Sequence, residues 1–220
     1  MQDLRIALVQ AHQVWEDKNA NLAHFLALLA ETEQVDLILL PEMFQTGFSM
    51  NAEQLAEEMS DSVSIKWLKD LASKKNAAIY TSMIVRDHGK FFNRGLFVEP
   101  NGTITAYDKR KTFGLAGEDL TYSAGTEERI VHFKGWNLQL QICYDLRFPE
   151  IVRNRIASNQ SPAYDVILYI ANWPARRNEH WKALLKARAI ENQSYVVGVN
   201  RVGEDANGLS YSGDSVRSEE

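Results

Sequence analysis

Cysteine is nearly absent from this chain: Cys143 stands alone among 220 residues. One cysteine cannot complete a zinc site, and the histidines, His12, His24, His88, His132 and His180, have no ligand spacing, so no metal is expected. A solitary thiol also lacks a resolving partner, which weakens a redox-sensor reading. Apolar runs long enough to span a membrane are missing, and the start, Met1-Gln2-Asp3-Leu4-Arg5, carries charges where a signal peptide needs apolar residues. Positive charge is not in excess. The net charge is −5, and the basic residues are scattered apart from Lys109-Arg110-Lys111, so nothing electrostatic points to nucleic acid or an anionic membrane. No G-x-G-x-x-G or G-x-x-x-x-G-K-[ST] string occurs, so no nucleotide cofactor is expected. No repeat, low-complexity stretch or linker divides the chain. These absences leave a soluble, cytoplasmic protein with one domain, 1–220. A chain of this length buries about 70 per cent of its unfolded surface, enough for a core without disulfides.

What is present alternates between two periods. Leu4, Ile6 and Leu8 alternate with Arg5, Ala7 and Val9, predicting a first strand that ends near Gln10. Asn19 is placed to cap a helix whose apolar stripe is Leu22, Phe25, Leu26 and Leu29. Residues 36–40 form a short apolar run, the mark of a strand covered on both faces, closed by Pro41 and followed directly by Glu42. Residues 44–61 read as irregular. Ser62 caps a second helix running to Lys75, with Trp67, Leu68, Leu71 and Ala72 inward. Strands over 77–85, 91–99 and 103–108 follow as a meander, and Lys109 ends the third.

The segment 110–128 has no clear period, and segments of that length within a compact domain are commonly functional. A strand over 129–133 and a Lys134-Gly135 turn lead into Trp136, Leu138, Leu140 and Ile142, one parity of a strand that ends at Cys143. Pro149 then reads as the first turn of a helix. A buried strand over 165–171, a helix over 179–192 with Trp181, Leu184, Leu185, Arg188 and Ile190 inward, and a strand over 195–202 complete the pattern. Helices alternating with strands, with a hairpin inserted, predict an α/β domain with mixed sheet.

An isolated free cysteine is ordinarily a buried small hydrophobe, Glu42 alone a surface carboxylate after a proline, and Lys109 alone a turn residue. Their common position after apolar strands argues otherwise, because ligands bind at the carboxyl ends of strands in α/β sheets. Together they supply the nucleophile, the proton carrier and the cation that acyl transfer requires.

The run Cys143-Tyr144-Asp145-Leu146-Arg147-Phe148-Pro149-Glu150 closely resembles the nucleophile signature of the nitrilase superfamily of carbon-nitrogen hydrolases, matched without a gap. Leu39-Leu40-Pro41-Glu42 resembles that superfamily's glutamate segment, and Tyr107-Asp108-Lys109 with Phe113 resembles its lysine segment, although Lys111 and Thr112 stand where His and Leu are usual. Ala116-Gly117-Glu118 matches the place of a second glutamate. The resemblance implies an α-β-β-α sandwich and hydrolysis of a C–N bond through a thioester on Cys143, with Glu42 as base. It also implies an oxyanion held by Lys109 and the Tyr144 N–H, with Glu118 orienting Lys109. Asn172-Trp173-Pro174-Ala175-Arg176 and residues 187–193 are most like the bacterial omega-amidase branch, which hydrolyses the terminal amide of 2-oxo acids such as 2-oxoglutaramate.

Within that expectation Arg147, Arg176 and Arg177 are candidate partners for a substrate carboxylate, with Arg176 and Trp173 as the leading substrate-binding residues. A nitrile or an N-carbamoyl amine remains an alternative substrate, and a non-catalytic binding or redox-sensing thiol protein a different class. The resemblance, with Trp181 read as exposed, leads us to expect a homodimer. The late run Ser212-Gly213-Asp214-Ser215-Val216 is similar to the start of a family strand, so the sequence is expected either to stop short of further strands and a tail or to lack a segment before Arg217.

Overall fold

A computed structural model describes residues 2–156 and 160–219. In chain order it contains β1 (Ile6–Leu8), α1 (Lys18–Ala30), β2 (Leu37–Leu39), α2 (Ala52–Leu55), β3 (Glu57–Glu58), α3 (Val63–Lys75), β4 (Ala78–Asp87), β5 (Lys90–Val98) and β6 (Ile104–Asp108). After these come α4 (Glu118–Thr121), β7 (Ile130–Phe133), β8 (Trp136–Ile142), β9 (Val166–Ala171), α5 (Asn178–Asn192), β10 (Tyr195–Asn200), β11 (Val202–Glu204), β12 (Ser210–Ser212) and β13 (Val216–Ser218).

One sheet runs β1-β2-β4-β5-β6, with β3 beside the far end of β4. Its first three strands are parallel, and β5 and β6 then fold back as the predicted meander. The β4–β5 turn is tighter than the sequence suggested: Asp87 pairs with Lys90, and only His88 (φ 46°) and Gly89 (φ 72°) turn the chain. Two consecutive positive φ values match the twist of a two-residue hairpin. The second sheet runs β13-β10-β9-β8-β7, with β8, β9 and β10 parallel and antiparallel strands on both edges. The expected late strand begins four residues further on than Ser212, as β13 against β10. A small β11–β12 hairpin lies apart from both sheets.

Side-chain parity assigns the layers. Leu37 and Leu39 of β2 join Tyr80, Phe97, Leu138, Leu140 and Ile142 in a core between the sheets. Ile38 and Leu40 point the other way, into a second core with Phe25 and Leu29 of α1 and Leu68 and Ala72 of α3. On the far side α5 lies against β10 so closely that a Cβ at Gly198 would stand 2.9 Å from both Leu185 and Trp181. Two sheets face to face, each backed by helix, give the expected α-β-β-α sandwich. Among the described residues no helix is long and apolar enough to cross a membrane.

Several expectations need correction. The cap of α1 is Asp17, whose side chain accepts from the Ala20 N–H at 2.9 Å, because extended backbone at Asp17 starts the helix before Asn19. Leu26 is exposed, since the buried stripe of α1 is only Asn21, Leu22, Phe25 and Leu29. Ile190 is exposed likewise, its place on the inner face of α5 taken by Ala189 and Asn192. Trp181 is fully buried, as the inward stripe of the 179–192 helix has it and contrary to the exposure that the dimer expectation assumes, tilted against Trp173 with Nε1 donating to the Asp214 carbonyl at 2.9 Å. In place of a helix at Pro149 there are two short 3-10 turns, Cys143–Arg147 and Pro149–Ile151. The irregular stretch 44–61 does contain α2 and β3.

Candidate active site

Three strand ends converge. Glu42 follows β2, Lys109 follows β6 and Cys143 follows β8, the first two strands in one sheet and the third in the other. At the end of β2 the chain turns through Met43 at φ 45°. The turn is held from several sides: Thr81 Oγ1 donates to the Pro41 carbonyl at 2.8 Å, and Gln13 Nε2 and Asn172 Nδ2 donate to the Glu42 carbonyl at 3.0 and 2.6 Å. At the end of β8 the backbone passes from extended Ile142 to Cys143 at φ 44°. A side chain in that left-handed region is strained and persists only where its surroundings fix it. Here Asp145 accepts the Ile142 N–H at 3.0 Å, and Arg188 of α5 donates to the Leu146 carbonyl at 2.6 Å. The sharp corner turns the Cys143 thiol into the cavity, and the Tyr144 N–H falls in the first 3-10 turn, where donors have no intrahelical partner.

Lys109 occupies the centre. Its Nζ lies 2.9 Å from Glu42 Oε1 and 2.9 Å from both oxygens of Glu118. All three side chains are essentially inaccessible to water. Burial alone would lower the Lys109 ammonium, but Glu118 and Glu42 outweigh it and hold the group protonated well above the ordinary lysine range. Two further amides complete the carboxylates. Asn93 Nδ2 donates to Glu42 Oε1 at 2.8 Å and to Glu118 Oε1 at 3.1 Å, and the Asn172 N–H donates to Glu42 Oε2 at 2.9 Å. The Phe113 N–H donates to Glu118 Oε2 at 2.5 Å.

Burial pushes the Cys143 thiol well above its usual range, and the Glu42 carboxylate it hydrogen-bonds adds to the shift, with Lys109 opposing. Cys143 therefore rests as a neutral thiol beside Glu42. The Lys109 charge favours the thiolate, but burial and Glu42 prevail. Sequence reasoning misses Asn93, which stands beside the charged Arg94 in the strand Phe91-Phe92-Asn93-Arg94-Gly95-Leu96 and has no distinguishing local signal.

Cys143 and Lys109 open onto a cavity of about 530 Å³, within the range of small-molecule sites. Trp173 forms part of its wall, fixed by Asn200 Oδ1 on its N–H at 2.8 Å and by its own Nε1 on the Arg177 carbonyl at 2.8 Å. Arg147, Arg176 and Arg177 all line it. Arg147 lies over the Trp173 ring at 5.1 Å and donates to His180 Nδ1 at 2.8 Å, which leaves that ring's proton on Nε2. Arg176, the leading sequence candidate, is exposed at the rim, whereas Arg177 is half-buried over the Phe113 ring at 5.1 Å. Burial lowers the Arg177 guanidinium from its ordinary value, and the like charges of Arg176 and Arg147 act in the same direction. No carboxylate among the described residues pairs with any of the three. The wall carboxylates are engaged elsewhere: Glu16 by Ser49 and Asn51, Asp205 by Tyr211 and two backbone N–H groups. The cavity thus presents unpaired positive charge opposite a thiol.

Residues 5–217 match the family described as Carbon-nitrogen hydrolase. The chain belongs to the carbon-nitrogen hydrolase family. Within it, the chain is 48% identical to the omega-amidase YafV of Yersinia enterocolitica over 216 residues, covering 98% of this chain and 81% of the relative. It is 36% identical to a 2-oxoglutaramate amidase of Bacillus subtilis, over 80% of this chain and 67% of that one. Among solved structures, a family member from Xanthomonas campestris with an arsenic adduct in its active site superposes with a TM-score of 0.96 at 44% identity, covering 100% of this chain and 83% of the other. The Nit3 protein of Saccharomyces cerevisiae, a nitrilase superfamily member, shares the fold at a TM-score of 0.83 and 23% identity, over 98% of this chain and 82% of its own.

Proposed function

We propose that this family member is an omega-amidase that hydrolyses the terminal amide of a 2-oxo dicarboxylic acid, 2-oxoglutaramate or 2-oxosuccinamate, using Glu42, Lys109 and Cys143. The observation that carries the reading is the single Lys109 ammonium held 2.9 Å from both Glu42 and Glu118, beside a thiol bonded to Glu42. The names of the Yersinia and Bacillus relatives support the substrate class. In the first step the Cys143 S–H gives its proton to Glu42 as sulfur bonds to the amide carbon, and the C=O electron pair moves onto oxygen. Lys109 and the Tyr144 N–H meet that oxyanion, each such donor being worth about 3 kcal/mol of barrier. Collapse breaks the C–N bond, Glu42 passes its proton to nitrogen, and ammonia leaves a thioester. Water, deprotonated by Glu42, then attacks; the acid departs and sulfur recovers its proton. Glu118 touches Lys109 throughout and transfers no proton.

The arginines define the test. A guanidinium without a carboxylate partner is suited to the substrate's carboxylate. In this proposal Arg177 makes the principal pairing, Arg147 the second, and Arg176 a weaker contact from the rim, with Trp173 as the wall behind them. A charge-assisted hydrogen bond is typically worth about 2 kcal/mol, so each pairing favours 2-oxoglutaramate over a neutral amide of similar length by roughly thirtyfold in kcat/KM. Arg177→Leu should remove most of that preference and leave the neutral amide little changed; ammonia release at matched concentrations measures both. Equal rates for the two amides in the unmutated enzyme would sink the 2-oxo acid reading and leave the thiol mechanism standing. A homodimer and a cytoplasmic site of action belong to the same proposal. The dimer rests on the family resemblance alone, since Trp181 is buried.

A further inference from the structure

Asp145, two residues beyond the nucleophile, is a fully buried carboxylate with no role in the chemistry above. Its oxygens join three pieces of chain. Oδ2 accepts the Ile142 N–H at 3.0 Å and the Tyr107 O–H at 2.8 Å, and Oδ1 accepts the Lys111 N–H at 2.9 Å. Ile142 is the last residue before Cys143, and Tyr107 and Lys111 stand two residues to either side of Lys109. One side chain therefore ties the corner carrying the nucleophile to the segment carrying the oxyanion-binding cation, although the two lie in different sheets. All three partners are donors, so the site suits an acceptor-only group, and an ionised carboxylate is the side chain of that kind.

We propose that Asp145 is a positioning residue of the hydrolytic site: its ionised carboxylate locks the Cys143 corner to the Lys109 segment, and protonation of that carboxylate releases the lock. A proton on Oδ1 would point at the Lys111 N–H, and one on Oδ2 is accommodated only if the Tyr107 hydroxyl turns its own proton to Gln141 Oε1 at 3.4 Å, so either way one of the three donated bonds is lost. Burial raises the Asp145 carboxyl to about 6, with the Ile142 N–H, Lys109, Tyr107 and the Lys111 N–H holding it from going higher. Tyr80 and Tyr169 also feel its charge, Arg110 acts on Tyr107 and Arg188 on Tyr169, and the Lys111 ammonium turns away to Glu150 at 3.4 Å. The tyrosines are held neutral, so the carboxylate is the group that changes state near pH 6.

The direction of the effect separates positioning from simple bracing. A carboxyl raised from 3.8 to about 6 on folding binds a proton in the native state that the unfolded chain does not hold at the same pH. Its contribution to stability therefore grows as pH falls from 6 toward 3.8. Activity should move the opposite way, because the protonated form no longer registers thiol against lysine. The inference requires the Cys143 and Lys109 chemistry and not the 2-oxo acid substrate.

The test follows the Ile142 and Lys111 amide proton shifts of labelled protein from pH 5 to 8, with kcat and KM for 2-oxoglutaramate, or for the neutral amide should that be the better substrate. Both amide shifts and the acid limb of kcat should share a midpoint of about 6. Tyr107→Phe deletes a hydrogen bond that lowers the carboxyl and should move both midpoints upward. Asp145→Asn should abolish the limb and lower kcat at pH 7.5 by at least about tenfold with KM within about threefold, the signature of lost alignment. Wild-type kcat in a folded Asp145→Asn protein would overturn the proposal. So would a limb that Tyr107→Phe leaves unmoved, or amide shifts that titrate without any change in kcat; the Tyr107→Phe arm stands even where Asp145→Asn fails to fold.

Discussion

Replacing Lys109 with methionine keeps the length and apolar stem of the side chain and removes one charge, so its consequences can be worked from four distances. The ammonium lies 2.9 Å from Glu42 and 2.9 Å from Glu118, and one Asn93 nitrogen touches both carboxylates at 2.8 and 3.1 Å. Loss of an oxyanion donor costs about 3 kcal/mol, roughly 150-fold in kcat. The two carboxylates, now close together without a cation, favour one shared proton. A proton on Glu42 removes the base, which is typically worth about a hundredfold or more. The product is a fall in kcat of at least about ten-thousandfold. Breaking a fully buried ion pair also costs about 3–5 kcal/mol of stability, part of it recovered by that proton. Lys109→Met with Glu118→Gln removes the unbalanced charge and should restore stability without restoring turnover. Ammonia-coupled kinetics and thermal unfolding of both variants read the two effects separately. A Lys109→Met enzyme within tenfold of the wild-type rate would refute the role of the ammonium, and a double variant as inactive and as unstable as the single would refute the charge argument.

Cys143→Ala should abolish amide hydrolysis while shifting unfolding by no more than about 1 kcal/mol, because the thiol is held neutral in its buried setting and little volume is lost; residual turnover above background in that variant would exclude the thioester route. Asn93→Ala removes a donor shared by Glu42 and Glu118, a hydrogen bond to charged groups worth roughly 1.5–3 kcal/mol, and should lower kcat by about tenfold to a hundredfold without weakening substrate binding. Steady-state kcat and KM measured separately would show an error in that assignment as a rise in KM instead.

Much of this was legible in the chain. Leu138, Leu140 and Ile142 fall on one parity, so the strand had to end at Cys143; the apolar run before Pro41 and the meander ending at Lys109 located the other two strand ends in the same way. Side-chain choices between near neighbours were not legible. Asp17 and Asn19 are both good caps, and only the extended backbone at Asp17 decides between them. Arg176 and Arg177 are chemically equal in sequence, but they sit in a 3-10 turn, where one residue rotates a side chain by about 120°, leaving Arg176 exposed and Arg177 half-buried. Trp181 has no sequence signal for the Trp173 ring that covers it, since the two meet only once α5 folds back on β10. Asn93 owes its partners to the turn after β2 and to the segment after β6, and no local period records such contacts.

The raised thiol bears on how the site handles charge. With Lys109 positive, Glu42 and Glu118 negative and Cys143 neutral, the buried group carries one net negative charge before substrate arrives. A preformed thiolate beside two ionised carboxylates would add a second charge in a water-free interior, where each uncompensated ion costs several kcal/mol. In the proposed attack the proton passes from sulfur to Glu42 as the substrate oxygen becomes anionic, so Glu42 loses the charge that the oxyanion gains. Lys109 exchanges one anionic partner for another, and the number of buried charges does not change. The cation, its amide-supported carboxylates and the donors around them are already desolvated in the folded protein, so little reorganisation remains for the transition state. In that proposed attack Glu118, bonded to Lys109 at 2.9 Å through both oxygens, holds the ammonium in place while Glu42 takes up the proton. A neutral resting nucleophile is therefore the state from which this arrangement of charges reaches the tetrahedral intermediate with the least change.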